Sequence, residues 1–110
     1  MTDYFSTEKA EKAISYLAET DELCAKAKAN LESLLRQDKA VRAMAFLNAE
    51  AKTIEEKKAI VEIQIEVKAM REAIDNATLE YETIKLKRST REVYINAWQT
   101  ASANRRQGNV

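Results

Sequence analysis

The sequence predicts an all-α protein, an antiparallel two-helix hairpin with a long second helix, coiled-coil-like and oligomeric. Three observations carry this. The 110 residues include no Pro and one Gly, Gly108, so the turn residues that a β or α/β domain needs are missing. The rest is rich in Ala, Glu, Lys, Leu, Ile and Arg, which lose little side-chain freedom in a helix. Apolar residues then recur at alternating steps of three and four over most of residues 54–106, the period of a helix-packing seam.

By length the chain is a single helical domain spanning residues 1–110. Residues 1–5 are a short lead. Ser6 or Thr7 can cap the first helix, with Glu8 near its positive end. That helix is expected over about 7–49, with apolar residues Ala10, Ala13, Ile14, Leu17, Cys24, Ala27, Leu31, Leu34 and Leu35. Thr20-Asp21-Glu22 interrupts the stripe and reads as a solvated or register-setting layer. Gln37-Asp38 is either a kink, with Asp38 capping a new segment, or a point the helix passes without interruption. Beyond it Val41, Met44, Ala45, Phe46 and Leu47 crowd more than one face. The alanine-rich stretches 25–29 and 40–51 would let a neighbouring helix approach closely.

Asn48 to Lys52 forms the turn. Thr53-Ile54-Glu55-Glu56 has the capping-box form, a hydroxyl residue followed three later by Glu. One helix is then expected over about 54–106, antiparallel to the first because the connection is short. Its seam is Ile60, Ile63, Val67, Met70, Ile74, Ala77, Tyr81, Ile84, Ile95 and Trp98, with Arg88 and Arg91 in the two positions between. Ile65, Leu79, Leu86 and Val93 share a different heptad position, far around the helix. A hairpin helix needs one stripe, so the second is the expected oligomer interface. Two or three helices of this size also enclose little interior, which points the same way.

The chemistry is sparse. There is no His and one Cys, which excludes the usual zinc sites. Cys24, on the apolar stripe, reads as a buried structural thiol. Phosphate loops, nucleophile elbows and dinucleotide fingerprints are missing. Carboxylate pairs such as Glu62 with Glu66 lie among lysines and arginines, as on a solvated face. No catalysis, metal or cofactor is expected. No apolar run is long enough for a membrane, and Met1 to Phe5 do not resemble a signal peptide, so a cytoplasmic protein is expected.

Charge is balanced overall but not locally. Residues 85–110 carry six basic side chains and one acidic, while residues 1–84 carry the reverse excess. Lys85, Arg88, Arg91, Arg105 and Arg106 supply a basic end, with Lys87. Tyr94 and Trp98 add aromatic rings four residues apart. A basic track with stacking platforms suits single-stranded nucleic acid, and it equally suits an acidic protein surface. Lys85, Arg88, Arg91, Trp98, Arg105 and Arg106 are therefore the candidate partner or nucleic-acid contacts. Trp98 also completes the seam and reads as a packing anchor. Glu8, Glu11 and Glu19 are the expected acidic partners of Arg88 and Arg91 if the seam stays closed.

Tyr81-Glu82, Lys85 to Arg91, Ile95-Asn96-Ala97-Trp98 and Ala103-Asn104-Arg105-Arg106 together resemble the C-terminus of a group of small all-helical phage and prophage proteins. The alanine-rich stretch from Val41-Arg42 to Ala51 is similar too. The pattern's sharpest part is the Trp followed shortly by Asn-Arg-Arg, matched by Trp98, Asn104, Arg105 and Arg106. Gln99 stands where Arg is usual, and the connecting region lacks the group's Tyr and His. Genes of the group often lie near phage recombination or single-strand-annealing functions. The resemblance thus implies a setting of phage DNA metabolism and no particular mechanism. Three functions follow as alternatives: a helical adaptor in phage recombination or replication, a direct nucleic-acid binder, or an inhibitor of a host nuclease or defence complex.

Overall fold

The structure, a computed structural model, describes residues 5–108. It is an all-α helical hairpin of α1 (Thr7–Asn48), α2 (Ile54–Ile63) and α3 (Ile65–Arg106). The lead at residues 1–4 and the last two positions lie outside the described residues. The chain divides into two compact units, one formed by residues up to 25 with those from 82 onward, the other by residues 26–81.

Helix α1 starts where its cap allows. The Ser6 hydroxyl accepts the Lys9 N–H at 3.2 Å, and Glu8 lies in the first turn. The helix then runs unbroken through both doubtful points. At Thr20 the hydroxyl donates to the Tyr16 carbonyl at 2.7 Å, a bond made inside a helix. The kink at Gln37-Asp38 does not occur. Asp38 accepts from Arg42 Nε at 3.1 Å, a pair four residues apart that supports continuous helix, and no Gly or Pro opposes it. Inward positions on α1 step by three and four from Ala10 through Ala13, Leu17, Thr20, Cys24, Ala27, Leu31 and Leu34 to Asp38, all buried or half-buried. The seam therefore includes the polar residues Thr20 and Asp38.

The connection carries a shifted capping box. Thr53 Oγ1 accepts the Glu56 N–H at 3.2 Å, but the returning Glu56 carboxylate accepts from Lys52 N instead of Thr53 N. Ala49 is buried in the turn, its N–H donated to the Phe46 carbonyl.

The expected single helix over 54–106 is broken at Gln64, which is extended at φ −66° and ψ 140°. The break is chemically cheap. Gln64 N–H still donates to the Val61 carbonyl, and its own carbonyl accepts from Lys68 N. One residue thus closes α2 and opens α3, flanked by two β-branched isoleucines that favour helix less. The break also rotates the inward face of α2. Val61 is buried and Ile60 half-buried, whereas Ile63, expected in the seam, is 66% exposed. Glu62 holds this arrangement, taking Arg42 Nη1 from α1 at 2.5 Å and Arg71 from α3 on its other oxygen. The Glu62 hydrogen bond is the main cause raising the Arg42 pKa above its ordinary value, opposed by burial and aided by Asp38. Lys57 lies over the Phe46 ring, 5.2 Å from its centre.

From Val67 the seam on α3 follows the sequence pattern. Val67 and Ala77 are buried, and Met70, Ile74, Tyr81, Ile84, Arg88, Arg91, Ile95 and Trp98 are half-buried. The helix ends with Gly108 at φ 75°, a left-handed conformation that Gly adopts at no cost, its N–H donated to the Arg105 carbonyl.

Candidate functional site

The unit that joins the start of α1 to the end of α3 holds most of the candidate residues. Arg88 occupies a seam position and its side chain is only 18% exposed. Its Nη1 donates to the Leu17 carbonyl and to Thr20 Oγ1, both at 2.7 Å, and its Nη2 to Asp21 Oδ1 at 2.5 Å. Thr20 passes the interaction on to the Tyr16 carbonyl, so a short polar chain crosses the seam. The polar interruption in α1 is therefore the receptor for the arginine in α3. The acidic partner of Arg88 is Asp21 and not the expected Glu8, Glu11 or Glu19.

One turn further along α3, Arg91 takes another solution. Its guanidinium lies over the Tyr16 ring, 4.3 Å from the centre, and Nη1 donates to the Lys87 carbonyl at 3.2 Å. Tyr94 follows, its hydroxyl accepting the Ser6 N–H at 3.1 Å and its ring tilted against Phe5 at 5.5 Å. These contacts run from Ser6, the cap of α1, to Asp21 within it as they run from Tyr94 back to Arg88 on α3, the antiparallel order. A groove of about 570 Å³ opens beside them, lined from both helices by Lys9, Lys12, Tyr16, Glu19, Arg91 and Tyr94 among others.

The remaining candidates do not converge here. Lys85, Arg105 and Arg106 are exposed. Arg105 and Arg106 fall in the last turn of α3, where cations favour the negative helix end. Seventeen residues of helix, about 25 Å, separate Arg88 from Arg105. Trp98 is half-buried and its indole N–H, itself buried, has no hydrogen-bond partner among the described residues. It sits as a packing residue sits, in the seam after Ile95. Cys24 is half-buried in the α1 seam.

The second stripe is open. On α3, Leu79, Leu86 and Val93 are 65–68% exposed at intervals of seven, and Ile65 is 80% exposed. Among the described residues there is no cluster of acidic or thiol side chains able to hold a metal, and no helix long and apolar enough to cross a membrane.

Sequence reasoning missed Thr20 and Asp21 as the receivers of Arg88, and missed Lys9, Lys12 and Tyr16 as groove residues. A signal existed for the first. Thr20 falls on the three-four register of α1, so it had to face α3. No family model, curated protein or solved structure matches the chain.

Proposed function

We propose that the protein is a non-enzymatic helical adaptor, cytoplasmic and self-associating, that works by protein–protein contact along the outer face of α3. One observation carries the reading. Leu79, Leu86 and Val93 stand exposed at seven-residue intervals on a helix whose inward seam is already filled. Single exposed aliphatics are ordinary on a protein surface. A repeat at one heptad position makes a single apolar row in helical register, along which a second helix can lie. The setting in phage DNA recombination or replication rests on the resemblance at Trp98 and Asn104-Arg105-Arg106.

The polar seam agrees with a scaffold. Arg88 is spent on α1, so a basic track along α3 has its centre removed, which disfavours the C-terminal end as a continuous nucleic-acid surface. The test is mass in solution. Light scattering should find the wild-type protein above monomer mass, and Leu79→Glu or Leu86→Glu should lower that mass with the helical signal kept. A wild-type monomer at all concentrations would end the self-association reading. Capture of partners from host and phage lysate then separates an adaptor of the phage machinery from an inhibitor of a host complex.

A further inference from the structure

We propose that the groove between the first turns of α1 and residues 90–94 of α3 binds a nucleotide phosphate, with the attached base stacked beside Arg91. The proposal does not depend on self-association and places the basic site elsewhere than the chain's last turns.

The argument starts at Arg91. A guanidinium has five N–H donors, and among the described residues the acceptor it meets is the Lys87 carbonyl. Among the described residues Arg91 makes no ion pair, although it is half-buried on the seam, one turn from Arg88, which finds three acceptors. Its planar fork is the side chain that best matches two oxygens of a phosphate. The guanidinium carbon already lies over the Tyr16 ring, 4.3 Å from its centre, so the ring restrains the group before any ligand arrives. A base laid on the outer face would extend that stack by one layer, as bases do on arginine planes.

The surroundings complete the site. Lys9 and Lys12 line the same groove from α1, near that helix's positive end. Lys12 is paired with Glu8 at 3.4 Å, but both side chains are more than three-quarters exposed, and such a pair exchanges at little cost. The groove's volume, about 570 Å³, lies within the range of small-molecule sites.

Glu19 is the carboxylate in the lining. It lies seven residues beyond Lys12, about 10 Å along the helix. The groove is thus basic at one end and acidic at the other. One phosphate at the basic end, with an uncharged base running toward Glu19, fits this polarity. A run of phosphates along the whole groove does not.

Two sources share this chemistry, a free nucleotide and a nucleotide unit of a single strand. Fluorescence anisotropy of a labelled oligothymidylate at about 50 mM and about 200 mM salt separates them. Wild-type protein should bind at low salt and weaken as salt rises. Arg91→Lys, which keeps the charge and loses the fork, should weaken binding about tenfold, the loss of one charge-assisted contact. Lys9→Ala with Lys12→Ala should do the same. Arg105→Ala with Arg106→Ala should change it less than about twofold. Glu19→Gln should tighten it, a gain that impaired folding cannot mimic. Displacement of the probe by adenosine monophosphate assigns the site to free nucleotide. Displacement by unlabelled oligonucleotide alone assigns it to a strand. No binding at low salt, binding indifferent to Lys9, Lys12 and Arg91, or equal displacement by a hexaglutamate peptide would overturn the proposal.

Discussion

Replacing Arg88 separates the role of its charge from the role of its stem. The guanidinium reaches three acceptors, but they are unequal. Asp21 is 68% exposed, so that ion pair is worth about 1 kcal/mol or less. Leu17 and Thr20 lie in the half-buried seam, where bonds from a charged donor are worth about 2 kcal/mol together after desolvation. The side chain also buries three methylenes, at about 0.8 kcal/mol each when fully covered. Arg88→Ala should therefore cost about 3–4 kcal/mol, in a domain of this size a fall of roughly 12–16 °C in Tm. Arg88→Met keeps the stem and removes the charge. It loses the ion pair and both seam bonds but strands no charge, because Asp21 is already exposed, so its cost should be about 2–3 kcal/mol, below that of Arg88→Ala. Thr20→Val leaves the guanidinium short of one buried acceptor and should cost about 1–3 kcal/mol. Asp21→Asn should cost less than about 1 kcal/mol. Urea titrations followed by helical circular dichroism give the four values, at one protein concentration, because association would make stability concentration-dependent. If Asp21→Asn costs as much as Arg88→Ala, the ion pair and not the α1 backbone holds Arg88. If Arg88→Met costs as much as Arg88→Ala, the seam requires the charge itself.

Three further substitutions test other parts of the structure. Ile74→Asp places a carboxylate on the seam and should cost several kcal/mol, enough to remove most cooperative melting; a melting curve within a few degrees of wild type would show that the inward face is wrong. Trp98→Ala should cost about 3 kcal/mol, whereas Trp98→Phe should lie within about 1 kcal/mol of wild type because it also removes the unpartnered buried N–H, and a large loss for Phe would reveal a partner for the indole. Glu62→Gln loosens the bridge from Arg42 to Arg71 and should lower stability by about 1 kcal/mol or less, with faster amide exchange confined to α2 near Lys57–Gln64; uniform acceleration along the chain would mean that α2 does not open by itself.

The seam on α3 was legible because the interior there is built from one repeating choice, an apolar residue every three or four positions. Turn chemistry was equally readable at Ser6, Thr53 and Gly108, where one side chain or one dihedral decides the outcome. The break at Gln64 was not. No Gly or Pro marks it, Gln favours helix, and the pattern from Ile60 through Ile63 to Val67 continues smoothly across it. What decides the break is tertiary. Glu62 binds arginines from two other helices, Lys57 covers Phe46, and Val61 is buried where the sequence pattern expected Ile63 to be. A one-dimensional periodicity cannot weigh those contacts against one helical turn.

The same limit explains the basic end. Charge counting placed Arg88 and Arg91 together as a surface, since both are cations three residues apart in a basic quarter of the chain. The fold assigns them different chemistry because it sets them against different residues of α1. Arg88 meets Thr20 and Asp21, a short hydroxyl and a carboxylate, and its hydrogen bonds close. Arg91 meets the face of the Tyr16 ring, donates to the Lys87 carbonyl of its own helix, and lines a groove. The hydroxyl at position 20 and the ring at position 16 thus do on α1 what no inspection of α3 alone reveals. A Tyr16→Leu exchange should leave Arg91 charged but without the plane that orients it. Oligothymidylate affinity should then fall by about tenfold while Arg88-dependent stability stays within about 1 kcal/mol. Equal losses in both would show that the two arginines act as one layer after all.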